Sequence, residues 1–160
     1  MFDEKLKKFA KILSDNKLTI ATAESCTGGL LSSRLTDISG SSDFVKLNFV
    51  TYANEAKHNI LRVPKEILST VGAVSDECAY YMAKGLHEYT NCDIAICTTG
   101  IAGPTGGTNE KPVGLVFVSI YYKDTITVEK YLLPKFLPRK LMKYMFTQKA
   151  INLAFKQVQS

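Results

Sequence analysis

Hydrophobic positions along the chain fall into two periods, one helical and one extended. Leu6, Phe9, Ala10 and Leu13 recur on one face and predict an amphipathic helix over 3–16. The run LTIATA, 18–23, is short, apolar and β-branched, which predicts a buried strand. It opens into ESCTGG and then LLSSRL, so a helix is expected to start near Thr27 or Gly28. Turn chemistry fills 37–42, and strand character returns over 45–52, where Val45, Leu47 and Phe49 alternate. Residues 54–61 read as helix, and Pro64 and Gly72 bracket a shorter helix at 64–71. Ser75 is a suitable N-cap for a helix over 76–90 that buries Ala79, Met82, Ala83 and Leu86. Residues 93–99 form a second near-continuous apolar strand, which empties into the long loop GIAGPTGGTNEKPVG. Strands at 114–121 and 125–133, joined at Lys123-Asp124, predict an antiparallel hairpin. Leu141, Met142, Met145, Phe146, Ala150, Leu153 and Phe155 place a last helix over 139–158.

Alternating helices and strands, two strands apolar throughout and one hairpin together predict an α/β fold. The expected architecture is three layers, with a mixed sheet between helices. No linker or repeat interrupts it, and 160 residues fit a single domain. In such folds ligands sit beyond the carboxyl ends of the central strands. Both Gly-rich segments follow apolar strands, so they are expected to converge on one pocket.

Composition narrows the class. With 46% hydrophobic and 22% charged residues the chain can build a core, which excludes disorder and collagen-like repeats. No apolar run approaches the ~20 residues of a membrane span. The first 17 residues mix acids and bases where a secretory leader would be apolar, so the expected location is cytoplasmic, with no membrane partner. Cys26, Cys78, Cys92 and Cys97 form no C-x-x-C pair and there are two histidines, so no metal site is expected. His58 and His87 read as surface or internally satisfied helix residues. The net charge of +5 is uneven: from Glu129 onward seven Lys/Arg face one acid. That reads as a solvated helix face, because no nucleic-acid signature accompanies it.

Several residues have the chemistry of a site. Gly100, Gly103, Gly106 and Gly107 allow backbone N–H groups to approach an anion, although the loop matches neither a Walker A nor a G-x-G-x-x-G pattern. Ser25, Cys26 and Thr27 stand at an expected helix N-terminus, which favours negative charge. Thr27 also reads as a plain cap, and Cys26 as either a rival nucleophile or a small buried thiol. A third segment, 40–57, holds Ser41, Ser42, Tyr52, Asn54, Glu55 and Lys57. A desolvated lysine can serve as base to a serine, and the chain can fold Lys57 back beside Ser42. Turn and helix-start roles for these residues stand beside that reading. Arg34 reads as a helix-end charge, and Arg139 as a bidentate phosphate ligand.

Taken in order, AESCTGG (23–29), GSS (40–42), FVTYANEAK (49–57), GAVS (72–75), TGIAGPTGG (99–107) and EKPVG (110–114) resemble the C-terminal domain of the CinA (competence/damage-inducible) family over about residues 1–155. Stand-alone members of that family are nicotinamide-nucleotide amidohydrolases. The resemblance implies hydrolysis of nicotinamide mononucleotide to nicotinate mononucleotide and ammonia, in pyridine-nucleotide salvage, with neither metal nor organic cofactor. It implies Ser42 as nucleophile, with Tyr52 and Lys57 assisting proton transfer. Ser25, Thr27, Gly28 and Gly29 from one loop, and Thr99, Gly100, Ala102, Gly103 and Thr105 from the other, would supply oxyanion, ribose or phosphate contacts in an order left open. Family members usually carry a G-D-R-x-x-V-R-like stretch whose arginine helps hold the substrate phosphate. Here LPRKLMK, 137–143, keeps Arg139 and places Lys143 at the second arginine. The family's habit also implies a homo-oligomer. The larger members' N-terminal nucleotide-pyrophosphatase-like domain is not expected within 160 residues. The alternatives are a non-catalytic nucleotide-binding or regulatory module, and a nucleic-acid accessory protein using the last helix.

Overall fold

A computed structural model describes residues 3–160; the first two positions of the N-terminal segment lie outside it. Five strands form one mixed sheet. β1 (Ile20–Glu24), β2 (Val45–Val50) and β3 (Ile94–Gly100) are parallel, while β4 (Leu115–Tyr122) and β5 (Thr125–Leu132) add an antiparallel hairpin. The strand order is β2-β1-β3-β4-β5. β1 is buried throughout, and β3 at every residue but its last, because neighbours flank them and helices cover both faces. β2 and β5 are edges, and much of each is solvated.

Helices α1 (Glu4–Asp15), α2 (Leu30–Thr36) and α6 (Arg139–Gln159) cover one face. Their core joins Phe9, Leu31, Leu35 and Phe146 to Ile20, Ile96 and Val118 of the sheet. Helices α3 (Asn54–Leu61), α4 (Lys65–Ser69) and α5 (Asp76–Thr90) cover the other. There Ala21, Ala23, Ala95 and Cys97 present small side chains to Leu61, Met82 and Leu86. Three layers and a mixed sheet are thus the architecture.

Local chemistry accounts for most element ends. Asp3 caps α1, its Oδ1 accepting from the Lys5 and Leu6 N–H groups. Ser75 caps α5 by accepting from the Cys78 N–H. Lys123 and Asp124 both have positive φ, as a two-residue hairpin turn requires. The start of α2 departs from expectation. Gly28 and Gly29 have φ of +60° and +102°, so the chain turns in the left-handed region and the helix begins only at Leu30. Arg34 is also corrected: it is buried, and donates to Asp3, Thr147 and Gln148 rather than standing at a solvated helix end. Among the described residues, no helix is long and apolar enough to cross a membrane.

Candidate active site

The chain leaves β1 toward β2 on one side and later returns to place β3 on the other. The crevice beyond the carboxyl end of β1 is therefore the topological switch point. Register aligns three strand ends there: Glu24 lies between Val50 and Thr98. Ser25, Thr51 and Thr99 follow at one edge of the sheet, and a cavity of about 290 Å³ opens there, lined by Ser25 and Thr99.

The floor of this cavity is a buried lysine. α3 runs back from the end of β2 and carries Lys57 inward until it is 1% exposed. Its Nζ lies 2.9 Å from Ser25 Oγ, 2.8 Å from the Thr51 carbonyl oxygen and 2.9 Å from that of Tyr52. Among the described residues no carboxylate forms an ion pair with it. Burial holds its pKa below the ordinary 10.5, against a smaller opposing effect of the Cys78 and Cys26 sulfurs. The two carbonyls can only accept hydrogen bonds, whereas a hydroxyl can donate or accept. A neutral Lys57 amine thus gives its two N–H bonds to the carbonyls and turns its lone pair toward Ser25.

This geometry corrects the expected pairing of Lys57 with Ser42. Ser42 is exposed in a single 3-10 turn, Ser41–Asp43, at the amino end of β2. The six residues of β2, at about 3.3 Å each, put about 20 Å between that turn and Thr51. Nothing in local spacing distinguishes the two serines. What does distinguish them is position: Ser25 directly follows a buried central strand, and a sharp glycine turn leads from it into a helix, a placement known for the serine nucleophiles of α/β-hydrolases.

Tyr52 and Arg139 stand at the mouth. Tyr52 is 60% exposed, and its hydroxyl oxygen is 3.3 Å from Arg139 Nη2. Arg139 Nη1 also donates to the Gly103 carbonyl at 2.6 Å, so part of the guanidinium is engaged by the Gly-rich loop. Thr99, Gly100, Ala102, Gly103 and Thr105 line the cavity, and the Thr99 hydroxyl donates to the Ala73 carbonyl. Asn54, from the 40–57 segment, lines it as well.

Of the ESCTGG segment, only Ser25 and Cys26 reach the cavity. Thr27, Gly28 and Gly29 turn away and border a separate groove with Lys140, Lys143 and Tyr144. The Thr27 hydroxyl is buried and donates to Glu24 Oε1 at 2.6 Å, so it caps no helix N–H. The Leu31 and Ser32 N–H groups instead donate to the Glu24 carboxylate. Cys26 is no activated nucleophile, since burial pushes its thiol up to about 12. Both histidines are satisfied internally, each Nδ1 sharing a hydrogen bond with a carbonyl oxygen, His58 with Val63 and His87 with Cys92.

Fold and site together define a three-layer α/β protein with a serine–lysine pair at the switch point of its sheet. The description CinA C-terminal domain matches residues 3–158, and the chain belongs to that family. A relative from Thermoanaerobacter pseudethanolicus, named for competence-damage induction, is 53% identical over 123 residues, 77% of this chain and 30% of that protein. A CinA-like protein of Syntrophus aciditrophicus is 54% identical over 111 residues, 69% of this chain and 26% of that protein. The chain thus spans about a third or less of the length of these curated relatives. Among solved structures, the competence/damage inducible protein CihA of Agrobacterium tumefaciens is similar at 35% identity and a TM-score of 0.91, over 100% of this chain and 99% of that one. A CinA superfamily protein of Klebsiella pneumoniae has a TM-score of 0.92 at 29% identity, over 98% of this chain and 96% of that one.

Proposed function

We propose that this chain is an amidohydrolase that converts nicotinamide mononucleotide to nicotinate mononucleotide and ammonia, with Ser25 as nucleophile and Lys57 as its base. The observation that carries the reading is the buried Lys57 amine, which has two carbonyl acceptors, one hydroxyl and, among the described residues, no carboxylate partner. The choice of substrate rests on the family resemblance. A small cavity with a guanidinium at its mouth is compatible with a flat ring bearing a phosphate.

In this mechanism Ser25 Oγ attacks the carboxamide carbon while its proton passes to Lys57 Nζ. The Cys26 N–H follows the nucleophile directly and, among the described residues, donates to no backbone carbonyl. With loop N–H groups of Ala102 and Gly103 it supplies oxyanion donors. The C–N bond then breaks as the nitrogen takes that proton back from Lys57, directly or relayed through the Tyr52 hydroxyl, and leaves as ammonia. Water, losing its proton to Lys57, hydrolyses the ester that remains and restores Ser25.

The test is mass-spectrometric measurement of nicotinate mononucleotide and ammonia from wild type, Ser25→Ala and Ser42→Ala. Product from wild type and Ser42→Ala, with none from Ser25→Ala, is the expected pattern. A folded wild type that binds the nucleotide and releases no ammonia would overturn the reading in favour of a nucleotide-binding module.

A further inference from the structure

Glu24 is the last residue of β1, fully buried, and the mechanism above does not use it. Both its oxygens are saturated by donors. Oε1 accepts from Thr27 Oγ1 at 2.6 Å and the Leu31 N–H at 2.7 Å, and Oε2 from the Ser32 N–H at 3.0 Å and Ser32 Oγ at 2.6 Å. No cation pairs with it among the described residues. A carboxylate is costly to bury, and these four hydrogen bonds offset that cost. Capping α2 alone would not require one, because a Ser, Thr, Asp or Asn at the residue preceding Leu30 would do so from the surface. That residue is instead Gly29, and the cap comes from outside the turn.

We propose that Glu24 is a positioning residue for the Ser25–Lys57 pair. The inference rests on Ser25 being the nucleophile. The carboxylate clamps the 25–31 turn at its middle through Thr27 and at its far end through Leu31 and Ser32. The Thr27 proton is committed to Glu24, so Thr27 Oγ1 accepts from Thr98 Oγ1 at 2.8 Å. The Thr98 carbonyl in turn accepts the Ser25 N–H at 3.1 Å. Ser25 is therefore held between β3 on one side and the Glu24 clamp on the other, while Lys57 approaches from α3. Displacing a reacting group by about 1 Å costs about 10²-fold in rate, which makes this clamp consequential for turnover.

Glu24→Gln keeps the shape but turns one acceptor into a donor, so in either amide orientation two of the four donors face an N–H. The experiment combines steady-state ammonia release with crystal structures of wild type, Glu24→Gln and the milder Thr27→Val, which removes the hydroxyl without changing volume. The expected result is a kcat lowered about 10- to 100-fold in Glu24→Gln and about 10-fold in Thr27→Val. KM should stay within about threefold of wild type, and the Ser25 Oγ–Lys57 Nζ separation should exceed hydrogen-bonding distance in Glu24→Gln. If Glu24→Gln does not fold, Thr27→Val alone decides. Unchanged kcat together with a retained serine–lysine hydrogen bond in the folded variants would overturn the proposal and leave Glu24 as a helix cap. If wild type releases no ammonia, the amidohydrolase reading fails separately, and the crystallographic separation still decides whether Glu24 positions Ser25.

Discussion

In the proposed reaction a single buried amine, that of Lys57, serves as the base, and its surroundings set how it behaves. Burial lowers the Lys57 pKa, and Lys57 works as a base only when neutral. Turnover should rise with pH as Lys57 loses its proton and level off above an apparent pKa below 10.5. Lys57→Arg should lower kcat by at least about 10²-fold at every pH, since a guanidinium does not deprotonate. A pH–rate profile decides this; activity independent of pH, or an active arginine variant, would remove Lys57 as the base. Ser25→Ala should lower kcat by about 10³-fold or more. Ser42→Ala, in an exposed turn at the far end of β2, should stay within about twofold of wild type. The residue types of the site were all visible in the sequence. The pairing was not, because both serines precede a strand or helix in polar turns, and only the sheet shows which one lies at the edge where Lys57 arrives.

Element by element, the legible features were those with a local cause. The Ser75 cap, the Lys123-Asp124 turn and the helical spacing of α6 all act within a few residues. The start of α2 was displaced because its capping group, Glu24, sits on the preceding strand. A second non-local constraint lies on α5. A Cβ at Gly85 would meet the Leu61 carbonyl oxygen at 1.7 Å, so glycine alone lets α5 pack against the end of α3. Gly85→Ala should therefore destabilise the protein by at least about 2 kcal/mol despite alanine's better helix propensity. For a chain of this size that lowers Tm by about 4–8 °C in a thermal melt. An unchanged or raised Tm would mean that α3 and α5 separate without penalty.

Across the whole molecule, one buried cation ties together the three helices of the α6 face. Arg34 on α2 donates to Asp3 Oδ2 at 2.9 Å, just before α1, and to Thr147 Oγ1 and Gln148 Oε1 on α6, both at 2.7 Å. Its guanidinium also lies 4.1 Å from the centre of the Tyr144 ring. Removing one partner of a buried ion pair leaves the other uncompensated. Arg34→Ala should cost about 3–5 kcal/mol, measured by denaturant unfolding. A loss below about 1 kcal/mol would show the cluster to be energetically idle.

The sequence by itself determined the fold class, the placement of nearly every element and the family, because periodicity, capping and turn chemistry act over a few residues. It also marked the two loops that follow buried strands. Tertiary structure decided which serine meets Lys57, that Thr27, Gly28 and Gly29 face away from the cavity, and that Arg34 is buried. Each of these depends on the order β2-β1-β3 and on contacts between residues tens of positions apart. Spacing along one chain does not encode that order.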